Sequence, residues 1–91
     1  MNKQQKPKGG QLSRTAAMLC KNPTFRLWLD RRAKTRFGLQ LSDGTHTEED
    51  ARDFILKWCE VSSRAHIDNN PKAIERLKYV IHRFNIWAKK Q

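Results

Sequence analysis

Apolar residues recur at intervals of three or four positions over much of the chain, the interval at which side chains share one face of an α-helix. Three long stripes of this kind predict three amphipathic helices. The first stripe comprises Phe25, Trp28, Leu29, Ala33 and Phe37. The next comprises Ala51, Phe54, Ile55, Trp58 and Cys59. The last comprises Ile74, Leu77, Ile81, Phe84 and Ala88, with Val80 and Trp87 flanking it.

Residues that favour helix ends bracket these stripes. Two Asn-Pro pairs, at 22–23 and 70–71, each place a capping side chain before a proline whose ring suits the first helical position. Gly38 predicts a left-handed C-terminal cap, and Thr47 predicts an N-cap before three acidic residues that suit a helix's first turn. The helix that starts at Pro71 is predicted to be the longest.

A shorter helix is predicted ahead of these three. Ser13 is a candidate N-cap, and the segment continues to about Lys21. Ala16, Leu19 and Cys20 are expected to face the core.

The remaining segments are polar. Residues 1–10 carry lysines, a proline and a glycine pair without an apolar period, and we expect a disordered basic arm. Residues 39–41 allow a very short extended piece. Residues 61–70 allow one helical turn capped by Ser62 or Ser63, and a polar connection of this length in a small bundle is often functional. The loops from Gly38 to Thr47 and from Val61 to Asn70 are each longer than the tight turn of a helix-turn-helix motif, so no recognition helix is predicted.

These elements predict an all-α fold, a small single-domain bundle of about four helices. The disordered basic arm occupies residues 1–10 and the helical domain occupies residues 11–91.

Positive charge is concentrated in the front of the chain. The protein has 91 residues and a net charge of +10. Residues 1–40 carry ten cations and one acid, Asp30, whereas residues 41–91 carry nine cations and eight acids. Such asymmetry produces a directional field that favours a polyanionic partner, of which nucleic acid is the most common.

Composition argues against several other classes of protein. No apolar run is long enough for a membrane helix and the N-terminus lacks a signal-peptide pattern, so we expect a cytoplasmic protein without a membrane partner.

Cys20 and Cys59 are expected to be small buried hydrophobes. The three histidines and two cysteines lack metal-ligand spacing, and no phosphate-binding loop or nucleophile elbow occurs. We expect no enzyme activity, metal, cofactor or small-molecule substrate.

Basic side chains that lie off the predicted apolar faces are candidate phosphate contacts. Those on the second helix are joined by a weaker strip on the last helix, where Tyr79 could stack on a base or rest against a neighbouring helix. The predicted nucleic-acid-binding residues are Lys21, Arg26, Arg31, Arg32, Lys34, Arg36, Arg76, Tyr79 and Arg83.

Three segments, at 16–29, 43–55 and 58–77, together resemble small uncharacterised proteins encoded in the early regions of temperate bacteriophages, near recombination and replication genes. The resemblance covers most of the chain from Ala16 onward. It implies an accessory DNA-binding factor, or an inhibitor that occupies a nuclease, polymerase or defence complex of the host. It implies no catalytic residue and no cofactor.

Three hypotheses follow. The first is a non-enzymatic nucleic-acid-binding accessory protein of phage recombination or replication, acting in the host cytoplasm, with DNA favoured over RNA. The alternative is a protein-protein inhibitor or adaptor directed at a host DNA-processing protein. A basic helix that lies on a membrane surface is weaker, because the apolar face of the second helix is needed for the core.

Overall fold

A computed structural model describes residues 10–38, 40 and 42–91. Within them the chain forms four α-helices and one 3₁₀ helix, and no strand. The α-helices are α1 (Gln11–Lys21), α2 (Pro23–Phe37), α3 (Glu48–Cys59) and α4 (Pro71–Lys89), and the 3₁₀ helix spans Arg64–Asn69. The predicted all-α fold is confirmed, and α4 is the longest of these helices. The predicted basic arm, except for Gly10, and the extended piece at Leu39 and Leu41 lie outside the described residues.

The N-caps predicted for α2, α3 and α4 and the C-terminal cap predicted for α2 are confirmed. The Asn22 side chain accepts a hydrogen bond from the Thr24 N–H at 2.9 Å, and Asn70 accepts one from the Ala73 N–H at 3.1 Å. Thr47 forms a capping box with Asp50 at the start of α3. Gly38 ends α2 with φ of 64°, a left-handed conformation that glycine adopts without steric cost.

The predicted start of α1 is wrong. The helix begins at Gln11, two residues before the predicted cap Ser13, and Gly10 is its N-cap. The side chain that satisfies this helix end comes from the 3₁₀ helix: the Asp68 carboxylate accepts hydrogen bonds from the N–H groups of Gly10 (2.8 Å), Leu12 (3.0 Å) and Ser13 (2.9 Å). A residue more than fifty positions away therefore caps α1.

The segment between α3 and α4 has a structural role. Its 3₁₀ helix is capped by Ser63, one of the two predicted residues, whose hydroxyl accepts a hydrogen bond from the Ala65 N–H at 3.2 Å. Ile67 of this 3₁₀ helix is completely buried in the core. The next residue, Asp68, caps the start of α1. Packing and capping thus account for Ile67 and Asp68 of this segment, and a functional role for the segment stays a prediction.

Residues from every helix form one core. Its aromatic centre joins α2 to α4: the Phe25 and Phe84 rings meet edge to face with centroids 5.3 Å apart, and Trp28 lies 5.6 Å from Phe25 and 5.9 Å from Phe84. The 3₁₀ helix contributes Ile67. The other buried apolar residues are Ala16, Cys20, Leu29, Ala51, Ile55, Cys59, Ala73, Leu77 and Val80.

Two details of the predicted stripes differ from the structure. Phe37 is 64% exposed, because the buried residues of α2 all lie between Phe25 and Asp30 and the last turns of the helix extend past the core. On α4 the buried residues are Ala73, Leu77, Val80 and Phe84, whereas Ile74, Ile81 and Ala88 are only partly buried. The face of α4 that enters the core is therefore turned toward Val80.

We expect Asp68→Asn to lower the free energy of unfolding by about 1–2 kcal/mol, because an amide replaces the carboxylate that accepts hydrogen bonds from three backbone N–H groups at the start of α1. Urea denaturation at about pH 7 measures the change, and amide hydrogen exchange should be faster in α1 than in α4. Asp53→Asn is the matched control, since Asp53 is exposed on α3. Equal stability of the two variants would contradict this role for Asp68.

Candidate nucleic-acid interface

A groove lies between α2 and α4, with one side chain contributed by α3. Its volume is about 360 Å³, within the range of pockets that hold one small ligand. None of the described residues that line it is acidic. The lining comprises Trp28, Arg31, Arg32, Thr35 and Arg36 of α2, Trp58 of α3, and Tyr79, Val80, Arg83 and Trp87 of α4.

Aromatic rings form much of the groove wall, and stacking and hydrogen bonds position the Trp58 ring among them. Trp58 stacks on Tyr79 with centroids 6.0 Å apart and planes inclined by 16°, and Phe54 stacks on the same indole at 6.1 Å. The Trp58 indole N–H donates to the Arg76 carbonyl oxygen at 3.0 Å, and the Arg76 guanidinium donates to the Trp58 carbonyl oxygen at 3.2 Å. This reciprocal pair holds the ring between α3 and α4.

Arg32 is the cation closest to the aromatic wall. Its guanidinium lies 5.1 Å from the Phe54 ring centroid and 5.6 Å from that of Trp58, which is a cation–π arrangement. Burial lowers the pKa of this guanidinium, and repulsion from Arg36 acts in the same direction. Because arginine stays protonated nonetheless, Arg32 is a partly desolvated charge beside a second cation. An anion bound in the groove would offset both the desolvation of Arg32 and its repulsion from Arg36.

Arg36 and Arg83 carry exposed cations on the two helices that flank the groove. Among the described residues neither forms an ion pair with an acidic side chain. Their guanidinium groups are therefore available to an external anion, and each can donate two parallel hydrogen bonds to a phosphate group.

Arg31 and Lys34 share one carboxylate, that of Asp43 in the loop after α2. Arg31 donates two hydrogen bonds to Asp43, at 3.0 and 3.1 Å, and the Lys34 ammonium lies 3.3 Å from the same carboxylate. The Arg31 guanidinium, aided by Lys34, holds the pKa of the Asp43 carboxyl at about 2. Asp43 therefore offsets positive charge at the groove edge throughout the physiological pH range.

The buried carboxylate of Asp30 organises this loop. Asp30 is completely buried and accepts hydrogen bonds from the Gly44 N–H (2.7 Å), the Thr45 hydroxyl (2.7 Å), the His46 N–H (3.1 Å) and the His46 ring. Burial raises the pKa of the Asp30 carboxyl, but the hydrogen bonds from His46, Thr45 and Gly44 outweigh it, so this pKa lies below its ordinary value. Asp30 is the one acid among the first forty residues, and that isolation was the available signal of its role.

The nine predicted binding residues separate into two groups. Five of them line the groove, and they are Arg31, Arg32, Arg36, Tyr79 and Arg83. The other four do not. Lys34 pairs with Asp43, Arg26 donates to the Cys20 carbonyl oxygen, Arg76 pairs with Glu60 at 3.3 Å, and Lys21 is exposed at the end of α1.

The sequence pattern did not identify the tryptophans as groove residues. Trp28, Trp58 and Trp87 all line the groove, although their helical spacing assigned them to the core or its edge. Trp28 is buried on its core side, and Trp58 and Trp87 are partly buried. The signal that could have located the groove was the presence of aromatic residues beside arginines on both α2 and α4.

A second concave region of about 400 Å³ has three arginines in its lining, Arg14, Arg52 and Arg64, contributed by α1, α3 and the 3₁₀ helix. Glu48 and Glu49 line an adjoining depression that shares Arg52 and Arg64. Acidic side chains therefore border this second basic cluster, and its lining contains no aromatic ring, in contrast to the groove.

Both cysteines are buried free thiols, as predicted. Burial raises the pKa of the Cys20 and Cys59 thiols. Within the described ranges no three His, Cys, Asp or Glu side chains are grouped so as to hold a metal ion. In the same part of the chain no helix combines the length and apolar character that a membrane crossing requires.

We expect Asp30→Asn to lower the free energy of unfolding by about 3 kcal/mol at about pH 7, because a buried carboxylate that accepts four hydrogen bonds is lost. A lowered pKa in the folded state means that this contribution is full above the unfolded-state pKa and is lost as pH falls through the folded-state pKa. The difference between wild type and variant should therefore be smaller at about pH 3. Urea denaturation measures the free energy of unfolding of both proteins at the two pH values. An equal difference between them at both would contradict this role of the Asp30 carboxylate.

Comparison with protein-family models, with curated proteins and with solved structures finds no match for this chain.

Proposed function

We propose that this chain is a non-enzymatic nucleic-acid-binding protein that contacts the phosphate backbone through the arginines of the groove between α2 and α4. One observation carries the proposal: four arginines and four aromatic side chains line the groove, and no acidic side chain is among its described lining residues. Guanidinium groups bind phosphates and aromatic rings bind bases, so the groove combines the two kinds of side chain that nucleic-acid partners require.

The distribution of charge adds support. The net charge of the chain is +10, and a field of this size raises the local concentration of polyanions near the surface. Arg36 and Arg83 lie on opposite sides of the groove without acidic partners among the described residues. Two cations so placed could contact phosphates along one strand.

The biological context is part of the proposal. The likeness of three segments to early-region proteins of temperate phages favours an accessory role in phage recombination or replication, in the host cytoplasm and with DNA as the partner. Backbone contacts of this kind provide affinity and position, and they carry no base sequence information.

Affinity for an oligonucleotide should fall steeply with salt, because each phosphate contact releases a counterion. We expect the double variant Arg36→Glu/Arg83→Glu to bind at least about tenfold more weakly than wild type, and the slope of log Kd against log salt to decrease by about two. Fluorescence anisotropy with a labelled strand, between about 50 and 200 mM salt, measures both.

The matched control for this variant is Arg14→Glu with Lys57→Glu, which changes net charge equally at exposed positions outside the groove lining. Equal weakening by the two double variants, or a salt-independent Kd, would contradict the proposal. A chain that binds no oligonucleotide and is recovered with a host protein from nuclease-treated lysate would overturn it in favour of the adaptor hypothesis.

Asp43→Asn should strengthen oligonucleotide binding severalfold, because it releases Arg31 and Lys34 from their ion pairs at the groove edge. Asp53→Asn raises the net charge by the same amount on exposed α3 and is the control. Anisotropy titration at low salt compares the two. Identical affinity for both variants would show that total charge, rather than the groove, determines binding.

A further inference from the structure

We infer that the groove accepts an unpaired nucleobase, so that the protein prefers single-stranded nucleic acid to duplex. The inference rests on the proposed function and specifies the form of nucleic acid that this site binds. Its basis is the juxtaposition of the Tyr79 and Trp87 rings with three arginines that have no acidic partner among the described residues.

The shape of the groove favours a base over a duplex surface. A groove of about 360 Å³ is of the size that holds one small ligand, and it lies between two helices. In a duplex the face of each base is covered by the neighbouring bases, so a protein can contact only the base edges. Aromatic walls inside a cavity of this size can therefore be used by a base that has left the stack.

The aromatic wall keeps free surface for such a base. Tyr79 stacks on Trp58, yet it remains 53% exposed, and Trp87 is partly buried against Phe84 at 6.4 Å. Exposed aromatic surface beside a cavity is costly to hydrate, and covering it with the π-face of a base recovers that cost. Every base has a flat π-face, so stacking in the groove would not require a particular base.

The three arginines without acidic partners would share two tasks. Arg32 is partly buried, and its planar guanidinium lies over the Phe54 and Trp58 rings. In that position it can donate hydrogen bonds to the edge of a base or to its phosphate. Arg36 and Arg83 are exposed on the flanking helices and can hold the phosphates on either side of the inserted nucleotide.

The test depends on two ligands that have equal numbers of phosphates and differ only in the presence of bases, and two further ligands serve as comparisons. We would titrate the protein with an oligothymidine strand of about 12 nucleotides, with a strand of equal length made of abasic sites, with a duplex, and with thymidine monophosphate. All three tryptophans line the groove, so quenching of their fluorescence reports stacking. We expect oligothymidine to quench it and to bind at least about tenfold more tightly than the abasic strand or the duplex.

Two variants of exposed aromatic residues locate the effect. Tyr79→Ala should remove most of the preference for oligothymidine over the abasic strand and leave affinity for the abasic strand nearly unchanged, whereas Tyr79→Phe should retain the preference. Phe37→Ala is the matched control, because Phe37 is exposed on α2 outside the groove lining and should not affect either ligand.

The outcomes distinguish this inference from the proposed function. Equal affinity for oligothymidine and the abasic strand, or tighter binding of the duplex, would overturn the inference and leave backbone binding in place. Thymidine monophosphate bound as tightly as the strand would also overturn it, by indicating a mononucleotide site. Failure to bind any of the four ligands would overturn the proposed function itself.

Discussion

The packing of α2 against α4 is the contact on which both the core and the groove depend. Phe25 and Trp28 meet Phe84 in a cluster whose ring centroids lie 5.3 to 5.9 Å apart. Trp28 belongs to that cluster and also lines the groove, so one side chain joins the stability of the bundle to the shape of the site. Because buried aromatic rings hold the two helices together, this packing sets the positions of the helix backbones from which the groove arginines extend.

The positions of the acidic residues explain why three arginines of the groove have no acidic partner among the described residues. The Asp30 carboxylate accepts hydrogen bonds from N–H and hydroxyl groups of the loop after α2. The Asp68 carboxylate accepts hydrogen bonds from N–H groups at the start of α1. Glu60 pairs with Arg76 away from the groove lining, and Asp43 pairs with Arg31 and Lys34 at the groove edge. Carboxylates thus organise backbone turns, while Arg32, Arg36 and Arg83 are left without acidic partners in the described structure.

Local features of the fold could be predicted from sequence, and long-range ones could not. The caps at Asn22, Thr47 and Asn70 each act on a backbone N–H two or three residues away, so a short motif contains the whole interaction. Asp68 acts on α1 across more than fifty residues, and nothing near either segment indicates the partner. The groove has the same character: its arginines were predicted as cations, but their arrangement around the tryptophans depends on how α2, α3 and α4 meet.

The most direct measurement is a nuclear magnetic resonance titration of the isotope-labelled chain with a short oligothymidine strand, which follows the backbone amides and the three indole N–H signals together. The account predicts that the largest shifts occur at the groove residues of α2 and α4 and at the indoles of Trp58 and Trp87, with small changes in α1 and the 3₁₀ helix. Shifts centred on Arg14, Arg52 and Arg64, or spread evenly over the surface, would contradict it.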